Sequence, residues 1–195
     1  MTAIHRIALR RTIRILLLQA LSIPIEAVAN LIPFLGEAAD VIMVAQLAET
    51  LIEFRQLDID TRAALDFLDN GPYSLDDLKV SDQSQSFSSY EEFYKDFSFE
   101  EFLSKRFGNA GVGYQYHHIV EQGGVNTTTL PVQALQNTDN IVRIPTLLHE
   151  AINSEYSRRS PRAPRLTVRR LLGTQPYSIQ REEGIRFMRE LGIIK

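Results

Sequence analysis

Three short stretches of sequence decide how the C-terminal half folds: YQYHHIVE (residues 114–121), NTDNIV (137–142) and LHEAIN (148–153). β-Branched and aromatic residues predict a first strand over residues 111–120 and a second one over residues 140–144. Pro145 then begins a helix that extends to about residue 157, because proline suits the first turn of a helix. The predicted order is strand, loop, strand, helix, with histidines at both ends of the unit.

The polar residues of these stretches have the types and the spacing of a divalent-metal site. His149 and Asn153 are four residues apart on the predicted helix, so their side chains share one face, about 5–6 Å apart at Cβ. Imidazole together with an amide or carboxylate oxygen is a usual set of ligands for a divalent cation. A neighbouring histidine that holds no metal has a pKa suited to general-base catalysis. One metal and one base are enough to hydrolyse a phosphodiester.

In this order the three stretches resemble the HNH/endonuclease VII superfamily, and within it the HH-type nuclease domains at the C-termini of bacterial polymorphic toxins. The resemblance covers about residues 111–157 and implies a ββα-metal fold. It implies that His118 is the general base, and that Asn140 belongs to the catalytic set by fixing the loop through backbone hydrogen bonds. The metal ligands that it implies are His117, His149 and Asn153.

The sequence departs from the pattern of this superfamily in two places. Many members carry a second histidine on the helix, where this chain has Asn153. The loop between the strands, roughly residues 121–139, is also long, so an inserted element there would shape the choice of substrate. In addition, neighbouring residues of a strand point to opposite faces. His117 and His118 can therefore serve one site only if the strand ends or twists there, which Gly123 and Gly124 would permit.

The cofactor implied by the resemblance is one divalent metal ion. Mg²⁺ is the first candidate, while Zn²⁺, Ni²⁺ and Mn²⁺ stay open because two imidazoles favour transition metals. The chain has no cysteine, which excludes disulfides, a thiolate zinc site and a cysteine nucleophile. The substrate implied is nucleic acid. DNA is preferred over RNA, although no base-reading motif distinguishes the two.

The net charge of −3 suggests no polyanionic partner, but it is the sum of two unlike parts. Residues 1–110 carry 10 basic and 17 acidic side chains, whereas residues 111–195 carry 11 basic and 7 acidic ones. A basic arm of six arginines follows the motif: Arg158, Arg159, Arg162, Arg165, Arg169 and Arg170. We expect Pro161 and Pro164 to keep the first four extended, available to nucleic-acid phosphates. The alternatives are a solubility tail or ion pairs with the acidic first part.

Arg143, on the second predicted strand, is the best single candidate for contacting the scissile phosphate. Glu121 and Glu150 adjoin the motif in sequence, but we expect them to be solvated or hydrogen-bonded rather than catalytic.

The N-terminal region is predicted to be helical throughout. Helices are expected over about residues 25–55, interrupted near 32–36, and over 61–68, with a stop at Asn70-Gly71-Pro72. Residues 71–89 have the composition of a connector, and Ser89-x-x-Glu92 and Ser98-x-x-Glu101 read as two capping boxes. Two further helices are expected in the C-terminal part, over 166–172 and 178–191. The fold class is therefore α+β and mostly helical, with a helical region at 1–107 and a nuclease domain at 108–195.

The first residues combine Arg6, Arg10 and Arg14 with an apolar run over 15–25. This pattern fits a signal peptide or an amphipathic helix, and the four-residue spacing of the arginines favours the helix. No apolar stretch reaches the roughly 18 residues of a membrane span. Residues 32–40, IPFLGEAAD, also resemble the pre-toxin segments found upstream of such nuclease domains.

Taken together, the sequence predicts a metal-dependent nuclease toxin that cleaves nucleic acid with a histidine base. The resemblance implies a cognate immunity protein and a secretion or delivery apparatus as partners, no stable membrane insertion, and action in the cytoplasm of a target cell after secretion or injection. One alternative is a non-enzymatic module in which the same residues hold a structural metal. Another makes residues 1–70 the active part, as a membrane-associating helical bundle.

Overall fold

The computed structural model of the chain describes residues 37–86, 103–104, 107–123 and 126–195. Several expectations lie outside these ranges. They are the N-terminal arginine helix, the turn near residues 32–36, the two capping boxes and Gly124. Within the described part, the class predicted from the sequence is confirmed: the fold is α+β, with more than half of the structure helical and one two-stranded antiparallel sheet.

The first helix, α1, is continuous over Glu37–Asn70. The predicted break between residues 55 and 61 is wrong, because this segment holds polar residues but no proline or glycine to end a helix. Its polar side chains instead bond along the helix axis, as when Thr61 Oγ1 donates to the carbonyl oxygen of Leu57 at 2.7 Å. The predicted stop is confirmed, since α1 ends immediately before Gly71-Pro72.

The segment after α1, expected to be a connector, packs onto the sheet and the C-terminus. A short helix, α2 (Leu75–Leu78), begins at a capping box in which Ser74 and Asp77 bond to each other's backbone. Tyr73 forms a bridge with Ile194, and Lys79 forms one with Val142 on the second strand. The connector therefore adds backbone pairing to the sheet edge.

The sheet consists of β1 (Tyr114–His118) and β2 (Ile141–Pro145). The register places Tyr116 opposite Arg143 and His118 opposite Ile141. The connection between the strands contains α3 (Asn126–Thr129), α4 (Val132–Leu135) and a 3-10 helix (Thr138–Asn140). Both strands lie where the sequence predicted them, although β1 is shorter than expected.

Three helices follow the sheet. They are α5 (Thr146–Ser157), α6 (Val168–Leu172) and α7 (Tyr177–Glu190). The predictions for all three agree with these bounds to within two residues. Gly192, just past α7, has φ +74°, a left-handed conformation that glycine adopts without strain and that ends the helix. No helix among the described residues is long and apolar enough to cross a lipid bilayer.

One hydrophobic core joins the two parts of the chain. Phe67 of α1 and Leu78 of α2 pack into the same buried cluster as Val142 of β2, Leu148 of α5 and Phe187 of α7. A smaller cluster formed by Leu103, Ala110, Tyr116 and Ile141 lies beside it. The division at residues 107/108 stays a prediction, but the described residues on both sides of it share one interior.

Helix α7 approaches the end of β1 at Gly184. A Cβ at this position would lie 2.3 Å from the carbonyl oxygen of Ile119, and that oxygen also accepts a hydrogen bond from the Tyr156 hydroxyl at 3.0 Å. The segment just after β1 is thus held against two helices, and only glycine permits the approach.

We expect Gly184→Ala to lower the free energy of unfolding by about 1–3 kcal/mol, because the added methyl group overpacks this contact. Urea denaturation followed by circular dichroism measures the change. The control is Gly123→Ala, where a Cβ meets no atom within 4 Å, and it should alter stability by less than about 0.5 kcal/mol. Equal stabilities for the two variants would contradict the close approach.

Candidate functional site

Three histidines come together where the strand pair meets α5. His117 and His118 are the last two residues of β1, and His149 lies in the first turn of α5. The ring centroids of His117 and His149 are 5.0 Å apart, with the ring planes inclined at 69°. The neighbouring imidazole of His149 also lowers the pKa of both strand histidines, in addition to the larger effect of burial.

The pleat of the strand separates the two neighbouring histidines. His117 is paired with Val142, and its ring meets His149 of α5. His118 is paired with Ile141, and its Nε2 lies 3.3 Å from Oε1 of Gln136 in the connection between the strands. Because β1 ends at His118, the two rings leave the strand in different directions but stay at the same end of the sheet.

Burial keeps these imidazoles neutral. His117 and His118 are only 3% and 8% exposed. Burial, reinforced by the neighbouring imidazoles, holds the pKa of His117 well below its ordinary value, and burial lowers the pKa of His118 to about 4. Burial also lowers the pKa of His149. Neutral rings offer the nitrogen lone pairs that bind a cation or accept a proton.

The predicted metal ligands fit a divalent ion in two respects. The buried Nε2 of His117 has no hydrogen-bond partner among the described residues, so its position suits a ligand atom. Two imidazoles bound to one ion, each at about 2.1 Å, have ring centres roughly 5 Å apart, as His117 and His149 have.

The third predicted ligand, Asn153, lies one helical turn after His149 on α5 and is half-buried. Within the described ranges, no group of three or more His, Cys, Asp or Glu side chains is arranged to hold a metal. The candidate set therefore remains two imidazoles and one amide.

Asn140 fixes the loop at the end of β1. The side chain is completely buried; its Oδ1 accepts a hydrogen bond from the Val120 amide at 2.8 Å. Its Nδ2 donates to the carbonyl oxygens of Val120 at 3.1 Å and of Leu135 at 3.0 Å. The backbone hydrogen bonds expected of Asn140 are thus present, and they tie the residues after His118 to α4.

Arg143 is not directed at the histidines. Its guanidinium carbon lies 4.0 Å from the ring centre of Tyr114, and its Nε donates to the carbonyl oxygen of Ala110. Tyr114 is at the opposite end of β1 from His118, roughly 13 Å away along the strand. A contact between Arg143 and the scissile phosphate stays a prediction that this arrangement does not favour.

The arginine arm is folded rather than extended. The Ala163 amide donates to the Ser160 carbonyl oxygen at 3.3 Å, and the Leu166 amide donates to the Ala163 carbonyl oxygen at 2.8 Å. Pro161 and Pro164 each occupy the second position of one of these two turns, where their fixed φ is favourable. The expectation of an extended arm is therefore wrong, because the prolines initiate turns here.

The six arginines of the arm fall into two groups. Arg169 forms a two-pronged hydrogen bond with Glu121, and Arg158 forms an ion pair with Glu155 at 2.5 Å. The other four, Arg159, Arg162, Arg165 and Arg170, are exposed, as is Arg169 despite its partner. Both acidic partners belong to the C-terminal part, whereas one of the alternatives placed such partners in the acidic N-terminal part. Glu121 is hydrogen-bonded, as expected.

Gln136 was not predicted from the sequence to belong to the site. It is completely buried, and its side-chain oxygen is the partner of His118. Nothing in the local sequence VQALQN marks this glutamine, because its importance depends on the long-range return of the connection to β1. The spacing to Asn140 on the same connection is the only signal that could have pointed to it.

We expect Asn140→Ala to lower the free energy of unfolding by about 2–4 kcal/mol, because it leaves three buried backbone groups without partners. Urea denaturation measures this loss. Asn109→Ala is the matched control, since Asn109 is exposed and accepts a hydrogen bond from the Gly111 amide at 3.0 Å. A loss no larger than that of the control would show that the loop does not depend on Asn140.

Comparison of the chain with protein-family models, with curated proteins and with solved structures gives no match. The likeness to the HNH/endonuclease VII superfamily therefore rests on the three sequence stretches and their order.

Proposed function

We propose that this chain is a metal-dependent nuclease of the ββα-metal kind, which hydrolyses phosphodiester bonds in nucleic acid, with DNA as the preferred substrate. The observation that carries the proposal is the approach of the His117 and His149 rings to 5.0 Å at the end of the sheet where His118 also ends β1. Their order along the chain, on a strand pair and the helix that follows it, is the order that the resemblance implies.

His118 acts as the general base in this proposal. Burial lowers its pKa to about 4, so the ring is unprotonated at neutral pH and can accept a proton from the attacking water, but as a weaker base than an exposed imidazole. Asn140 holds the backbone that follows His118, which limits the directions the ring can take. The two residues thus combine a proton acceptor with a rigid support.

The residues that would hold the cofactor are His117, His149 and Asn153. A bound divalent ion, with Mg²⁺, Mn²⁺, Zn²⁺ and Ni²⁺ as candidates, stabilises negative charge on the phosphoryl and leaving oxygens. Two observations support this assignment: the Nε2 of His117 has no hydrogen-bond partner among the described residues, and the His117 and His149 rings are 5.0 Å apart.

The substrate would be bound by exposed arginines on and around the double turn, which consists of the two consecutive turns over residues 160–166. Arg162 and Arg165 each occupy the third position of a turn, where their side chains are exposed. Arginines of this kind neutralise backbone phosphates without reading bases, so they would bind DNA and RNA alike.

The biological setting comes from the resemblance to toxin domains. The proposal is a secreted or injected effector that acts in the cytoplasm of a target cell, carried there by a delivery apparatus. A producer of such an enzyme needs a cognate immunity protein. The pre-toxin-like stretch at residues 32–40 supports the same setting.

We expect His118→Ala to reduce cleavage of supercoiled plasmid by about 10²–10⁴-fold, the usual contribution of a general base. The assay compares Mg²⁺, Mn²⁺, Zn²⁺ and Ni²⁺ with EDTA, and total RNA serves as a second substrate. His5→Ala, which lies outside the motif, is the control and should cleave like the unaltered protein.

Undiminished cleavage by His118→Ala would overturn the proposal. The deep burial of His117 also favours a second candidate, a structural metal site, because such sites are closed to solvent. Unfolding of the protein by EDTA, together with no cleavage under any metal, would identify that second candidate.

We expect the double variant Arg162→Gln/Arg165→Gln, made in the His118→Ala background, to bind duplex DNA with a weaker salt dependence. The slope of log K against log [salt] should fall by about 2, because each lost phosphate contact contributes about 0.9. Fluorescence anisotropy measures it. Arg186→Gln is the control, since Arg186 is paired with Glu183 and Glu190 on α7. An unchanged slope in the double variant would show that the two turns do not contribute to DNA binding.

A further inference from the structure

Gln136 is held in place on both sides by backbone hydrogen bonds. It follows α4 directly, and its amide donates to the carbonyl oxygen of Val132 at 2.7 Å. The carbonyl oxygen of the preceding residue, Leu135, accepts from Asn140 at 3.0 Å. The side chain of Gln136 therefore projects from backbone that is fixed by Asn140, the residue that also holds the end of β1.

The contact between Gln136 and His118 defines where the imidazole carries its proton. Nε2 of His118 lies 3.3 Å from Oε1 of Gln136. An amide oxygen has no hydrogen and can only accept, so Nε2 must be the protonated nitrogen. In a neutral ring the lone pair then belongs to Nδ1.

The other end of the glutamine amide is buried without a partner. Nε2 of Gln136 makes no hydrogen bond to any described residue, although the side chain is 0% exposed. A buried donor without an acceptor destabilises the fold, and an apolar side chain of similar size would avoid that cost. The contact of the amide oxygen with His118 is what an apolar side chain would lack.

We propose that Gln136 is a positioning residue for His118, which orients the ring and keeps its proton on Nε2. This inference rests on the proposed function, in which His118 accepts a proton from water. The water proton passes to Nδ1, the water oxygen forms the new bond to phosphorus, and the bond to the leaving oxygen breaks with its electron pair. The leaving oxygen then takes a proton from solvent.

Two substitutions separate the hydrogen bond from the packing. Gln136→Met keeps the length of the side chain but removes the acceptor, and we expect kcat for plasmid cleavage to fall roughly ten- to a hundredfold, part of what a general base contributes. KM should stay within about twofold, because Gln136 acts through His118 and not on substrate binding. Gln136→Glu retains an acceptor and should recover most of the activity.

The matched control is Gln133→Met, which changes an exposed glutamine on α4, the helix that precedes Gln136. It should leave kcat unchanged. Thermal denaturation of each variant identifies any folding defect. If Gln136→Met does not fold, the inference is tested by the activity of Gln136→Glu and by the ¹⁵N NMR spectrum of the unaltered protein.

The direct readout is the position of the proton on His118, observed by ¹⁵N NMR of the imidazole. We expect it on Nε2 in the unaltered protein and in Gln136→Glu, and distributed over both nitrogens in Gln136→Met. A proton on Nδ1 in the unaltered protein, or a Gln136→Met variant with unchanged kcat and unchanged spectrum, would overturn the inference.

The spectrum needs no turnover, so the two proposals fail in different ways. If the unaltered protein cleaves neither plasmid nor RNA, the proposed function and the catalytic role of Gln136 both fall. The spectrum still decides whether Gln136 controls the His118 ring.

Discussion

The arrangement of the site depends on the buried side chain of Asn140. A two-stranded sheet is marginally stable alone, and here the strands are joined by a long connection that contains only short helical segments. The side-chain amide of Asn140 links the end of β1 to α4, while the main-chain carbonyl oxygen of Asn140 accepts from the Ile119 amide at 2.8 Å. Both ends of the connection are thereby fixed, and with them His118 and Gln136.

The ion pairs around the site have a complementary role. Glu121 and Arg169 join the segment after β1 to α6, and Tyr156 joins the same segment to α5. Arg169 thus binds another part of the same protein, whereas the double turn leaves Arg162 and Arg165 exposed. The arginine arm thus both stabilises the segment after β1 and exposes a basic surface for phosphates.

The sequence predicted what short-range patterns determine. The β-branched and aromatic composition predicted both strands. Pro145 predicted the start of α5, and Gly71-Pro72 predicted the end of α1. The continuity of α1 was not predicted. Its polar residues suggested a break, but in the structure they form hydrogen bonds along the helix. The direction of Arg143 and the contact of Gln136 with His118 were not predicted for another reason. Both depend on packing between segments that are distant in sequence, and no local pattern indicates such packing.

The bridge between Tyr73 and Ile194 constrains how the chain can be made. The amide of Tyr73 donates to the carbonyl oxygen of Ile193 at 3.2 Å, and Ile193 and Ile194 are buried in the core with Phe67. Translation proceeds from the N-terminus, so the core cannot close until residues 191–194 have been synthesised. Ile119 and Leu148, the chain neighbours of His118 and His149, belong to the same core. Their final packing therefore requires residues 191–194, which are synthesised long after the histidines themselves.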